Sequence, residues 1–321
     1  MKRWLALLPA LAILSSCGFR ESTSRIDAGA SLSGSPVRVT NGAGHSETNG
    51  KPGTVEKPGR STGQTVGAEQ ASEWKTLELT EEMTHLGELV LVNRDRELWP
   101  EAVPGDIVDL GEREDLTSGY SLLDPSIELS EQVALRFGEM VEAASSDGVR
   151  HFRISSGYRS FDEQEELYEE KGDDYALPAG YSEHNLGLSL DIGSTQGPID
   201  DSAEGSWLKK RAWDYGFVLR YPKDKSSVTG IQYEPWHFRY VGLPHSLIMK
   251  KKDFVLEEYL AYLKEKRTIV AEAKGTRYRI TYVPVPATDG TAAEVPVNGD
   301  YTLSGDNAGG VIVTVSLKEA A

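Results

Sequence analysis

Two stretches constrain this chain more than any others: Gly180–Tyr181–Ser182–Glu183–His184–Asn185–Leu186–Gly187–Leu188–Ser189–Leu190–Asp191, and Glu234–Pro235–Trp236–His237 further on. His184, Asp191 and His237 form the donor set of a four-coordinate zinc with one position left open for a water. Glu234 is the base expected to act on that water. Seven residues separate His184 from Asp191, too many for one helical face, where partners stand three or four apart. The spacing predicts a loop running into a strand, with Leu188 and Leu190 toward the core and Ser189 and Asp191 on the opposite face. Phe238–Arg239–Tyr240 is β-prone, so Glu234 and His237 are predicted on a second strand beside the first. Two histidines and a carboxylate also suit iron or cobalt, although zinc is the usual occupant of a hydrolytic site of this kind.

The rest of the composition narrows the setting. A net charge of −16 and no basic stripe exclude a general phosphate-binding surface, so no nucleic-acid partner is expected. Lys250–Lys251–Lys252 reads as a solvated helix approach. The only cysteine is Cys17, which excludes a disulfide framework and a thiolate metal site. Lys2 and Arg3 precede the apolar run Trp4–Leu14, too short for a permanent membrane span and suited to a signal-peptide core. Leu14–Ser15–Ser16–Cys17 resembles a bacterial lipobox, which implies lipidation at Cys17 and a protein tethered outside the cytoplasmic membrane. The leader is thus expected over 1–17. Residues 18–73 are poor in large apolar side chains and rich in Gly, Ser, Thr, Pro and Asn, which predicts a disordered tether coiling over roughly 40 Å. His45 falls inside it and is not expected to bind metal.

Order is expected from Trp74. Glu88–Asn93 reads as a strand and Ser130 as the N-cap of a core helix with Val133, Phe137, Met140, Val141 and Ala144 on one face. Val149–Ser155 alternates as a strand. Ser160–Phe161–Asp162–Glu163 is a capping box that begins a helix and fixes Arg159 at a strand-to-helix junction. Ser206–Tyr215 predicts a helix closed by Gly216, followed by the strand Phe217–Arg220. After a helix over Phe254–Lys264, Thr268–Val270, Tyr278–Val283 and Val311–Val315 read as short strands. His85 and His245 have no partner at ligand spacing and are assigned to packing.

Ser182-x-His184, Asp191 seven residues later, Glu234-Pro-Trp-His237 downstream and Ser156–Gly157–Tyr158–Arg159–Ser160 upstream together resemble the VanY-type D-alanyl-D-alanine carboxypeptidases, zinc peptidases of the hedgehog-like fold. The likeness spans about residues 78–250. It implies an α+β fold, mostly antiparallel sheet with flanking helices, in a catalytic domain over 74–266, with a small β appendage over 267–321. It implies one zinc per chain, Arg159 facing the oxyanion or the substrate carboxylate, and Gln164 and Ser182 helping to hold that carboxylate. The family usually has alanine where Ser189 stands, and Ser189 is expected to hydrogen-bond near Asp191. The implied reaction is removal of the C-terminal D-alanine from peptidoglycan pentapeptide stems by a monomeric enzyme, which would also link the chain to glycopeptide resistance. The alternatives are an L,D-carboxypeptidase acting on tetrapeptide stems and a non-catalytic wall-binding module, which the presence of Glu234 disfavours. A free-dipeptide substrate fits a long tether poorly. Ser206–Trp207–Leu208–Lys209 matches a serine-enzyme pattern by chance, since its usual companion motifs are missing.

Overall fold

In the computed structural model, residues 73–173, 175–286 and 290–317 are described. Cys17, His45, the leader and nearly all of the tether lie outside them. In chain order the elements are β1 (Trp74–Leu79), β2 (Ile107–Asp109), β3 (Ser121–Leu122), β4 (Glu128–Ser130), α1 (Glu131–Ser146), β5 (Phe152–Ser156), α2 (Phe161–Lys171) and β6 (Ser189–Ser194). There follow α3 (Ala203–Arg211), β7 (Phe217–Leu219), the single turn α4 (Ser226–Thr229), β8 (His237–Tyr240), α5 (His245–Lys252) and α6 (Leu256–Lys266). The chain then runs through β9 (Thr268–Ala273), β10 (Thr276–Pro284), β11 (Thr291–Pro296), β12 (Tyr301–Gly305) and β13 (Gly310–Leu317). This is the expected α+β architecture. No helix among the described residues is long and apolar enough to cross a membrane.

A five-stranded sheet in the order β3-β5-β6-β8-β7 carries the ligand positions. Its pairings are antiparallel except β3 with β5. α1 covers it because Val133, Phe137, Met140, Val141 and Ala144 form a buried stripe against Phe152, Ile154, Leu190 and Ile192, a helix face meeting the inward residues of two strands. Ser130 caps α1 by accepting from Val133 N. Ser160 and Glu163 form the reciprocal capping box that starts α2. Helix α3 starts earlier than its apolar pattern suggests, at Ala203, because Ser202 accepts from Gly205 N. The chain turns out of the following 3-10 segment at Gly216, in the left-handed region at φ 89°.

The expected strand over Glu88–Asn93 does not form. Its backbone groups are taken by side chains, which removes the need for a ladder partner. Leu89 N donates to Ser304 Oγ, Glu88 O and Val90 O both accept from Arg239 Nη2, and Leu91 O accepts from Asn307 Nδ2. Its apolar residues still go inward: Leu89, Val90, Leu91 and Val92 are buried.

Residues 267–317 form the antiparallel sheet β12-β13-β10-β9 and supply β11, which pairs with β1. This part packs firmly on what precedes it. Ile280, Tyr282 and Ile312 share one buried cluster with Tyr259, Leu260 and Leu263 of α6 and with Leu89, Leu91, Val218 and Val241. The pairing of Trp74–Leu79 with Thr291–Pro296 ties the start of the described chain to its end. Strands β11 and β12 went unforeseen, because Ala292, Ala293 and Gly305 dilute their β-branched pattern. His245 is held by Tyr259 Oη at 2.8 Å and Thr314 Oγ1 at 3.2 Å, and His85 by Asn307 Oδ1 at 2.7 Å. Both pack the fold together.

Candidate active site

Antiparallel pairing of β6 with β8 places Asp191 directly opposite His237. The side chains of such a pair leave the sheet on the same face. Leu190 and Phe238, one residue on, face the core. His184 arrives from outside the sheet, on the 3-10 turn Glu183–Leu186, whose N-cap Ser182 accepts from His184 N. That turn ends at Gly187, whose φ of 72° lies in the left-handed region that favours glycine. The loop-then-strand reading of 184–191 is the observed one. Glu234 differs: it lies in the turn before β8, where His237 N donates to Glu234 O, because Pro235 cannot extend the ladder.

The three ligand candidates converge. One donor atom from each of His184, Asp191 and His237 lies within 4.8 Å of the others. Asp191 Oδ1 is 3.2 Å from His237 Nδ1 and 3.5 Å from His184 Nε2. This buried oxygen has no hydrogen-bond partner among the described residues. An orphaned carboxylate oxygen facing two imidazoles is costly unless a cation completes it, and the N, N, O donor set fits zinc. His184 is oriented by its Nδ1, 2.7 Å from Gly157 O, which leaves Nε2 toward the other two. Gly157 must be glycine here, since a Cβ would stand 2.2 Å from Glu128 O.

The charges are strongly coupled. Burial works against ionised Asp191, yet His184 and His237 hold it well below the usual carboxylate range. Burial likewise opposes charging His237, but Asp191 and Glu183 push it up to about 9. Glu234 Oε2 lies 3.7 Å from His237 Nδ1. Burial raises its affinity for a proton, with His237 pulling the other way. A carboxylate so placed, next to the ligands and with 28 % of its side chain exposed, suits proton exchange.

Arg159 is anchored at both ends. Its backbone N donates to His184 O at 3.1 Å, while Nη1 donates to Gln164 Oε1 at 2.7 Å and Nη2 to Ser156 Oγ at 3.2 Å. Burial lowers its affinity for its proton, while the nearby charge of Asp191 raises it. It lines an open cleft of about 380 Å³ with Ser156, Tyr158 and Glu163. Gln164 does not reach that cleft. It is 1 % exposed, and its amide nitrogen donates to Leu177 O at 2.6 Å. Gln164 thus orients the Arg159 guanidinium from inside the fold. Ser182 is nearly buried and caps the His184 turn.

Two residues, Asn185 and Glu183, escaped the sequence reading, and the partner of a third, Ser189, differs from the expected one. Asn185 donates to Arg159 O and Ser160 O and accepts from Gly180 N, which locks the two upstream motifs together. Glu183 is fully buried between Arg220 and Arg239. Ser189 hydrogen-bonds Glu183 Oε2 at 2.9 Å and not a group of Asp191, as had been expected. The available signal was Arg239 between Phe238 and Tyr240 on an interior strand, since a buried guanidinium demands a carboxylate.

The family model described as VanY, D-alanyl-D-alanine carboxypeptidase, matches residues 126–243, which include Arg159, His184, Asp191, Glu234 and His237. A D-alanyl-D-alanine carboxypeptidase of Enterococcus faecium is 53 % identical over 249 residues, covering 78 % of this chain and 81 % of that one. The bifunctional D-Ala-D-Ala dipeptidase and carboxypeptidase VanXYC of Enterococcus gallinarum is 41 % identical over 44 % of this chain and 81 % of its own length. Among solved structures, the vancomycin-resistance D,D-dipeptidase VanXYg in complex with a D-Ala-D-Ala phosphinate analogue superposes with a TM-score of 0.66 at 34 % identity, over 76 % of this chain and 99 % of that chain. The chain belongs to the VanY family of D-alanyl-D-alanine carboxypeptidases and is an enzyme.

Proposed function

We propose that this enzyme removes the terminal D-alanine from peptidoglycan stem peptides ending in D-Ala-D-Ala, with one zinc ion held by His184, Asp191 and His237. The observation that carries the reading is the orphaned Asp191 Oδ1 facing His237 Nδ1 and the His184 ring, with Glu234 alongside. When bound, the ion supplies Lewis-acid polarisation of the scissile carbonyl and acidifies the attacking water. Glu234 accepts the water's proton as the C–O bond forms and then returns it to the amine nitrogen, so that the C–N bond breaks and D-alanine leaves. Arg159, held by Gln164 and Ser156, offers the guanidinium donors that a carboxylate or oxyanion requires. Ser182 retains an O–H proton to donate to the same carboxylate.

Around that centre we place the protein as a monomer outside the cytoplasmic membrane, anchored by an acyl chain on Cys17, with residues 18–73 as its reach into the wall. The basis is the Leu14–Cys17 pattern and the composition that follows it. A second substrate, the free D-Ala-D-Ala dipeptide, is favoured by the likeness to VanXYC and VanXYg. The test supplies the purified zinc-loaded protein with a pentapeptide stem, a tetrapeptide stem and the dipeptide, with Glu234→Ala as control. D-Alanine release from the pentapeptide, lost in the control, supports the proposal. Release from the tetrapeptide alone moves the enzyme to the L,D class, and no release from any substrate leaves a binding module.

A further inference from the structure

The two histidines at the centre turn opposite nitrogens toward Asp191, and each is backed by a different kind of group. His184 is backed at Nδ1 by the carbonyl of Gly157. His237 turns Nδ1 inward and leaves Nε2 buried, without a hydrogen bond of ordinary length, 3.5 Å from Glu183 Oε2. We propose that Glu183 is the positioning residue of the metal centre: its carboxylate accepts a hydrogen bond from Nε2–H of His237, keeps that proton on Nε2, and so commits Nδ1 to the ion.

The surroundings of Glu183 leave that as its free direction. A carboxylate offers about four acceptor sites. Oε1 takes Arg220 Nε at 2.8 Å and Arg239 Nη1 at 2.9 Å, and Oε2 takes Ser189 Oγ at 2.9 Å. What remains on Oε2 faces His237. Neither arginine is free to move away. Arg220 is gripped by both oxygens of Glu257, at 2.9 and 2.7 Å, and Arg239 donates to Tyr240 O, Glu88 O and Val90 O. Both guanidinium side chains and the Glu183 side chain are fully buried, so the carboxylate is held between them and cannot turn to water. A carboxylate behind a ligating imidazole fixes its tautomer and strengthens its other nitrogen as a donor. Adjacent residues thus serve both histidines: His184 is one ligand, and Glu183 backs the other.

The inference rests on the zinc reading above, and its test separates the two. Zinc affinity is measured by competition with a chromophoric chelator on the full chain, on Glu183→Gln and on Glu257→Gln. The last removes the other partner of Arg220 without touching His237. Glu183→Gln is expected to weaken zinc binding roughly 10- to 100-fold, and Glu257→Gln to leave it nearly unchanged. Equal weakening in both, or none in Glu183→Gln, would overturn the proposal. Should Glu183→Gln fail to fold, the unsubstituted chain with 15N-labelled histidine and bound 113Cd decides. Metal coupling to Nδ1 of His237 with a slowly exchanging Nε2 proton is expected, and coupling to Nε2 would overturn the assignment. A full chain that binds no zinc at all would instead remove the zinc reading, and this inference with it.

Discussion

Asp191 and His237 face each other across β6 and β8, with Oδ1 and Nδ1 3.2 Å apart. The sheet itself, and no loop, sets this distance, which is why the pair can be held ready for an ion before one arrives. Asp191→Ala should therefore leave the β6–β8 ladder intact while abolishing zinc binding. Metal analysis after gel filtration is expected to give one zinc per chain for the unsubstituted protein and close to none for the variant, with unchanged far-UV circular dichroism.

Removing Glu234 should separate chemistry from metal binding. Glu234→Gln keeps its shape but loses the proton acceptor, and such losses cost about 10²- to 10⁴-fold in kcat. Zinc content should stay at one per chain. A variant that retains full turnover with D-Ala-D-Ala substrates would move the base elsewhere.

Gln164 acts through Arg159, and that distinction is measurable. Gln164→Leu deletes the 2.7 Å charge-assisted contact, worth about 2 kcal/mol, so kcat/KM should fall roughly 30-fold while zinc affinity holds. Arg159→Ala should cost more than Gln164→Leu, and the double variant about as much as Arg159→Ala alone.

His245 makes stability depend on acid. Burial pushes its pKa down to about 3 from an ordinary 6.5, so it is neutral in the fold and takes a proton only on unfolding. The sign follows: below pH 6.5 the unfolded chain binds more protons, and this contribution to stability is lost as pH falls toward 3. The loss runs up to about 1.4 kcal/mol per pH unit. Urea unfolding at pH 7, 6 and 5 should show a shallower fall for His245→Gln than for the unsubstituted chain at equal zinc occupancy.

Ile312 on β13 shares its cluster with Tyr259 and Leu263 of α6. Ile312→Ala should cost about 2–5 kcal/mol and lower a single cooperative thermal transition. Two resolved transitions would mean that 267–317 unfolds on its own.

Much of the centre was legible because ligand chemistry restricts residue type. Histidine, aspartate and glutamate stand at 184, 191, 234 and 237 at metal-site spacing, and the alternation of Leu188, Ser189, Leu190 and Asp191 betrayed the strand. Capping at Ser130 and Ser160 was equally plain, since a side-chain oxygen next to an apolar stripe is a local signal. What stayed hidden depended on distant partners. The run Glu88–Val92 has the residues of a strand, but its carbonyls are claimed by Arg239 and Asn307, more than a hundred residues away. Gln164 reads as a substrate group from its motif alone, and only the fold shows that its amide bonds Arg159 and Leu177 O. Glu183 looked like one carboxylate among many in an acidic chain.

Thr76 on β1 donates to Glu294 on β11 across 218 residues of sequence. A ladder of that span makes the contact order high, and closing such a loop is slow. β1 has no ladder partner among the described residues until Thr291–Pro296 is available, whereas the sheet that carries the ligands is complete by Tyr240. The order in which the chain is made therefore leaves this outermost ladder to close last.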